Sequence, residues 1–129
     1  MRSINVKLIT VFCMMFSLFC CAQKPKFTSY SSVDFEKLLK ENPEVQLVDV
    51  RRPEEFAAGH IDNAVLINVL ADDFIKKAES MLEKSKPVAV YCRSGKRSKD
   101  AAGKLTKEGF VVYDLDTGYL GWVEYINSK

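Results

Sequence analysis

Pro87-Val88-Ala89-Val90-Tyr91-Cys92-Arg93-Ser94-Gly95-Lys96-Arg97 passes from a short apolar run straight into a cationic turn, and a helix-forming stretch from Ser98 to Lys107 follows. An apolar run this short and unbroken marks a strand buried on both faces. Strand, tight turn and helix together make the repeating unit of a parallel sheet. Ligands of such sheets gather at the carboxyl ends of the strands, which is where Cys92 falls. A thiol placed there faces the amides of its own loop and of the next helix, and those dipoles favour the thiolate. Arg93, Lys96 and Arg97 add positive charge around it, and Gly95 lets the backbone curl with positive φ at little cost.

Working outward, the same alternation of short strands and helices recurs. Val45 to Val50, Ala64 to Ile67 and Phe110 to Tyr113 are further short apolar runs that predict strands. Ser31-Ser32 ahead of Val33, Phe35, Leu38 and Leu39 predicts a capped amphipathic helix that Asn42-Pro43 ends. Pro53 with Glu54 and Glu55 behind it predicts a short helix stopped by Gly59. Phe74, Ile75, Ala78, Met81 and Leu82 recur at helical spacing within Ala71 to Lys84. A last helix is expected over Tyr119 to Ile126, with Trp122 and Ile126 facing inward. The expected fold is an α/β sandwich: a four- to five-stranded, mainly parallel sheet with helices on both faces.

The N-terminal 22 residues read as a leader rather than as part of that fold. Arg2 and Lys7 precede an almost wholly apolar, uncharged run from Leu8 to Cys21, shorter than the ~20 residues of a spanning helix. Two processing routes are open. Cleavage after Ala22 would free the domain, whereas Leu18-Phe19-Cys20-Cys21 loosely resembles a lipoprotein box with Cys21 as the lipidated residue. Either route predicts an exported protein, periplasmic or lipid-anchored in the cell envelope, with Cys92 as its one free thiol. Residues 23–29 read as a short polar tether and 30–127 as one domain.

Charge composition narrows the partners. The chain has 19 Lys and Arg against 17 Asp and Glu, and loss of Arg2 and Lys7 with the leader makes the balance even. Net charge near zero gives no electrostatic footprint for nucleic acid, and leaves a lipid anchor as the one expected link to membrane. A monomer without metal or cofactor is expected.

Several motifs, taken together, resemble a known family. Asp49-Val50-Arg51 with Pro53-Glu54-Glu55-Phe56, then Gly59-His60-Ile61, then Cys92 to Ser98, then Gly118 with Trp122, are similar to the motifs of single-domain rhodaneses of the exported type. The resemblance covers about Tyr30 to Ile126. It implies a sulfurtransferase fold in which Cys92 carries sulfane sulfur as a persulfide. By the same resemblance, Arg93, Ser94, Gly95, Lys96, Arg97 and Ser98 form the substrate-binding loop. The donor implied is thiosulfate or a similar small anion, and the acceptor a thiol, a protein or another thiophile.

Loop length separates this chemistry from phosphoryl transfer. Four residues lie between Cys92 and Arg97, where the related phosphatases have five and so form a wider cradle. Phosphatase or arsenate reductase activity is the minor alternative, and a persulfide carrier or docking module with little turnover is the other. His60 tempts a cysteine-histidine dyad but sits in a turn where the family uses it structurally. Asp49 and Arg51 read as supporting residues that organise a strand end in preference to touching substrate. Trp122 reads as packing. The sequence departs from the family at Asp62-Asn63, where proline and glycine are usual, and at Asn68-Val69, which puts local turn geometry in question.

Overall fold

The computed structural model describes residues 26–129. The expected leader at 1–22, with Cys13, Cys20 and Cys21, and the first residues of the expected tether lie outside the described residues. Five strands form one sheet: β1 (Thr28–Tyr30), β2 (Gln46–Asp49), β3 (Val65–Leu66), β4 (Val88–Tyr91) and β5 (Val112–Leu115). Their order is β1-β5-β4-β2-β3, and every pairing is parallel. The helices between them are α1 (Ser32–Glu41), α2 (Pro53–Ala58), α3 (Phe74–Met81), α4 (Lys96–Lys107) and α5 (Gly118–Asn127).

β4 occupies the centre of the sheet, and all four of its residues are buried. Alternation along it sorts the core into two layers. Val88, Val90 and Cys92 join Val48, Val50, Ala101, Ala102, Leu105 and Phe74 beneath α3 and α4. Ala89 and Tyr91 join Phe35, Leu47 and Leu115, with Tyr119 and Trp122 packed against them, on the α1 and α5 side. Each fully buried aliphatic side chain stabilises the fold by roughly 1.5–3 kcal/mol, so the two layers jointly hold β4 rigid. Cys92 thus inherits its direction from the pleat of the strand before it.

Local chemistry explains the ends of the elements. Ser31 caps α1 by accepting from the Asp34 amide at 3.2 Å. Pro53 opens α2, and Glu55 reaches back to accept from the Arg52 amide at 3.1 Å. Asn63 has φ of 71°, a left-handed conformation that asparagine tolerates, which accounts for its standing where the resembling family has glycine.

Several boundaries differ from expectation. Thr28 and Ser29, assigned to the tether, already pair with Tyr113 and Asp114 of β5, so the fold begins earlier than residue 30. The last strand runs from Val112 to Leu115 instead of Phe110 to Tyr113, because the Phe110 amide is still bound to the Leu105 carbonyl at the end of α4. Helix α3 is shorter than Ala71 to Lys84, and Met81 on it is exposed while Leu82 beyond it is buried. Ile126 is partly exposed, whereas Trp122 packs edge-on against Phe35 with ring centres 6.1 Å apart. Among the described residues no helix is long and apolar enough to cross a membrane.

Candidate active site

The chain leaves β4 at Tyr91 and turns through Cys92, Arg93, Ser94 and Gly95 before α4 begins at Lys96. Gly95 has φ of 105°, and a Cβ there would overlap the Asp116 carbonyl oxygen. Glycine is therefore required on two counts, conformation and space. The curl aims the Gly95 amide at the sulfur, and N–H donates to Cys92 Sγ over 3.1 Å.

Cys92 is 1% exposed, so its ionisation depends on these neighbours. Burial pushes the thiol up, but the Ser98 hydroxyl and the amides of Ser98, Gly95 and Ser94 outweigh it and leave the group below the ordinary thiol range. In the protonated state Sγ–H donates to Ser98 Oγ at 3.5 Å, and that hydroxyl donates in turn to the Gly95 carbonyl at 3.2 Å. Once the thiolate forms, the Ser98 hydroxyl must turn towards sulfur.

A second element holds the loop from outside. The first amides of α5 donate to its carbonyls, Tyr119 to Cys92 at 2.8 Å and Leu120 to Arg93 at 3.1 Å. Gly118, with φ of 65°, lies so close to the Arg93–Ser94 peptide that any Cβ would overlap it. These bonds occupy carbonyl oxygens on the far side of the loop, which leaves the amides to face the sulfur.

The basic residues are not equivalent. Arg97 donates through both terminal nitrogens to Glu55, at 2.7 and 2.9 Å, and the guanidinium holds the Glu55 carboxyl down at about 2 against the opposing effect of burial. Arg97, expected in the substrate-binding loop, is thus paired with a carboxylate, and its charge still bears on Cys92. Arg93 and Lys96 are exposed and take part in no ion pair among the described residues. Ser94 is also exposed, and Ser98 is fully buried beneath the sulfur.

Asp49 and Arg51 form a buried ion pair at the end of β2. Arg51 Nη2 lies 2.7 Å from Asp49 Oδ2, Nε lies 3.0 Å from both oxygens, and the Arg51 amide donates to Oδ1 at 2.9 Å. The same guanidinium donates to the Gly59 carbonyl at 2.6 Å and stacks 4.5 Å from the centre of the Tyr119 ring. The pair therefore ties β2, the end of α2 and the start of α5 together. His60 stacks on Phe56 at 3.7 Å, and its Nδ1–H donates to the Phe56 carbonyl at 2.9 Å, with no hydrogen bond to the Cys92 loop among the described residues.

Sequence reasoning passed over Lys99, Asp114, Asp116 and Tyr119. Asp114 is fully buried in β5, where Oδ2 accepts from Ser29 Oγ at 2.8 Å and from Lys99 Nζ at 3.0 Å. A carboxylate between Tyr113 and Leu115 in a short apolar strand was the available signal, because a buried charge demands a partner. No metal-ligating group of three or more His, Cys, Asp or Glu gathers among the described residues.

The profile of the Rhodanese-like domain family matches residues 31–125, which takes in every element from α1 to the body of α5. The chain belongs to the rhodanese family. A putative mitochondrial thiosulfate sulfurtransferase of Schizosaccharomyces pombe is 37% identical over 116 residues, covering 77% of this chain and 82% of that one. The Bacillus subtilis protein YqhL is 38% identical over 85 residues, and the chain spans 65% of its length. A rhodanese-like domain protein of Staphylococcus aureus, solved by crystallography, superposes with a TM-score of 0.66 at 30% identity, covering 74% of this chain and 91% of that one. Other relatives, 33% and 34% identical, also carry the name sulfurtransferase and support a general sulfurtransferase role for this rhodanese.

Proposed function

We propose that this rhodanese moves sulfane sulfur from thiosulfate, or a similar small anionic donor, to a thiophilic acceptor through a persulfide on Cys92. The observation that carries the reading is the Gly95 amide at 3.1 Å from a buried sulfur whose ionisation is eased by its surroundings. The Cys92 thiolate attacks the outer sulfur of thiosulfate. A new S–S bond forms as the bond between the two thiosulfate sulfurs breaks, and sulfite departs with the electron pair. An acceptor thiolate or cyanide then attacks the outer persulfide sulfur, and Cys92 leaves as thiolate.

Negative charge stays near the loop in both steps, and fixed amides accommodate it without reorganisation. Exposed Arg93 and Lys96 draw the anionic donor to the loop, because neither is spent on a carboxylate. Amides converging directly on Sγ suit a sulfur carrier better than a phosphoryl cradle, whose amides must surround a group beyond the sulfur. The uncharged apolar run from Leu8 to Cys21 behind Arg2 and Lys7 supports a reaction outside the cytoplasm, free or lipid-anchored.

Incubation of the domain with thiosulfate followed by intact-mass measurement tests the reading. Gain of one sulfur atom in the wild type and none in Cys92→Ser is expected, and no gain in the wild type would overturn it. Turnover with cyanide as acceptor then separates a catalyst from a persulfide carrier.

A further inference from the structure

Lys99 lies in the first turn of α4 and makes three polar contacts, one of them to the reactive loop. Its Nζ donates to the Gly95 carbonyl at 3.2 Å and sits 3.0 Å from Asp114 Oδ2 and 2.9 Å from Asp116 Oδ1. Asp114 is fully buried, and its Oδ1 has no hydrogen-bond partner, so Lys99 supplies the one countercharge that carboxylate has among the described residues. The ammonium is thus fixed in place by two carboxylates, while its third contact rests on Gly95.

The Gly95 carbonyl receives a second side-chain donor, the Ser98 hydroxyl. That hydroxyl is also the one beside Cys92 Sγ, and it cannot donate to both. When the thiol ionises, sulfur becomes acceptor only and needs the Ser98 proton. Turning that proton to sulfur takes a side-chain hydrogen bond from a buried carbonyl, a loss that disfavours the turn unless another donor remains. Lys99 is that donor.

We propose that Lys99 is a positioning residue for the Cys92 nucleophile: by holding the Gly95 carbonyl, it releases the Ser98 hydroxyl to the thiolate. Asp114 and Asp116 keep the ammonium in place, and Ser29 of β1 orients Asp114. The inference rests on Cys92 acting as a thiolate nucleophile and adds a residue to the machinery of that site. The remaining charges near the loop are otherwise committed or exposed: Arg97 is paired to Glu55, Arg51 to Asp49, and Arg93 and Lys96 face solvent.

The rate at which iodoacetamide alkylates Cys92, followed against pH, tests this without any sulfur transfer. Lys99→Met is expected to raise the midpoint by on the order of one pH unit, about a tenfold smaller thiolate fraction near neutrality, and Lys99→Arg to restore most of the loss. Ser98→Ala should raise the midpoint as well. In the Lys99→Met/Ser98→Ala double variant the two shifts should fall well short of adding, because Lys99 acts through Ser98. Should Lys99→Met fail to fold with Asp114 unpaired, Lys99→Met/Asp114→Asn removes the stranded charge and takes its place in the cycle.

An unchanged profile in folded Lys99→Met, or shifts that simply add, would overturn the inference. Sulfur loading distinguishes it from the proposed function. A shifted alkylation profile in a protein that takes up no sulfur sustains Lys99 and removes the transferase, and the opposite pair of results does the reverse.

Discussion

Glu55 and Arg97 join α2 to α4 through two parallel hydrogen bonds, beside the loop that bears the nucleophile. Each side chain is about three-quarters buried, so neither is a freely solvated surface charge. The pair fixes the direction of Arg97 beside Cys92.

Stability should follow the ionisation of Glu55. Its folded value lies at about 2 against an ordinary 4.5, so the ionised form is favoured by folding. The contribution is fully present above pH 4.5 and is lost as pH falls towards 2. Allowing for solvent screening of a partly exposed pair, it amounts to no more than about 2 kcal/mol. Urea denaturation of wild type and Glu55→Gln from pH 6 to pH 2 should show a gap that closes at the acid end; a gap independent of pH would contradict the assignment.

Arg51→Met should damage the fold more than the chemistry. It strands Asp49, which is wholly buried, and removes the donor to the Gly59 carbonyl. Breaking a buried pair from one side costs about 3–5 kcal/mol. Equilibrium unfolding should register that loss, while sulfur uptake per folded molecule at low temperature should stay near the wild-type level. A folded, stable variant that takes up no sulfur would instead place Arg51 on the substrate.

Gly95→Ala should be tolerated poorly although it adds one methyl group. The position has φ of 105°, and the new carbon would meet the Asp116 carbonyl. A strained backbone conformation of this kind costs on the order of 1–3 kcal/mol before the clash is counted. The expected result is a lower melting temperature together with a higher alkylation midpoint for Cys92. Wild-type values for both would show that the loop does not depend on this curl.

Much of this arrangement can be read from the chain because it is written in local terms. Val88 to Tyr91 reads as a doubly buried strand, Pro53 and Ser31 as helix openings, and Cys92 to Ser98 as an anion-facing turn, each from neighbours in sequence. The partners lie elsewhere along the chain, Glu55 for Arg97, and Ser29 and Lys99 for Asp114. No periodicity announces which carboxylate an arginine will choose. β1 escaped notice for a related reason: Thr28, Ser29 and Tyr30 have little apolar character, and what makes them a strand is pairing with β5, which stands at the other end of the domain sequence.

The bonds from Tyr119 to Cys92 and from Leu120 to Arg93 give the site an order of assembly. The thiol precedes α5 in the chain, so any folding state in which α5 has not yet docked holds the sulfur without the brace that sets its loop. Reactivity of the kind that invites oxidation is postponed until the braced fold can guard it. A chain truncated after Asp116 should therefore alkylate as an ordinary cysteine does, and the full chain should not.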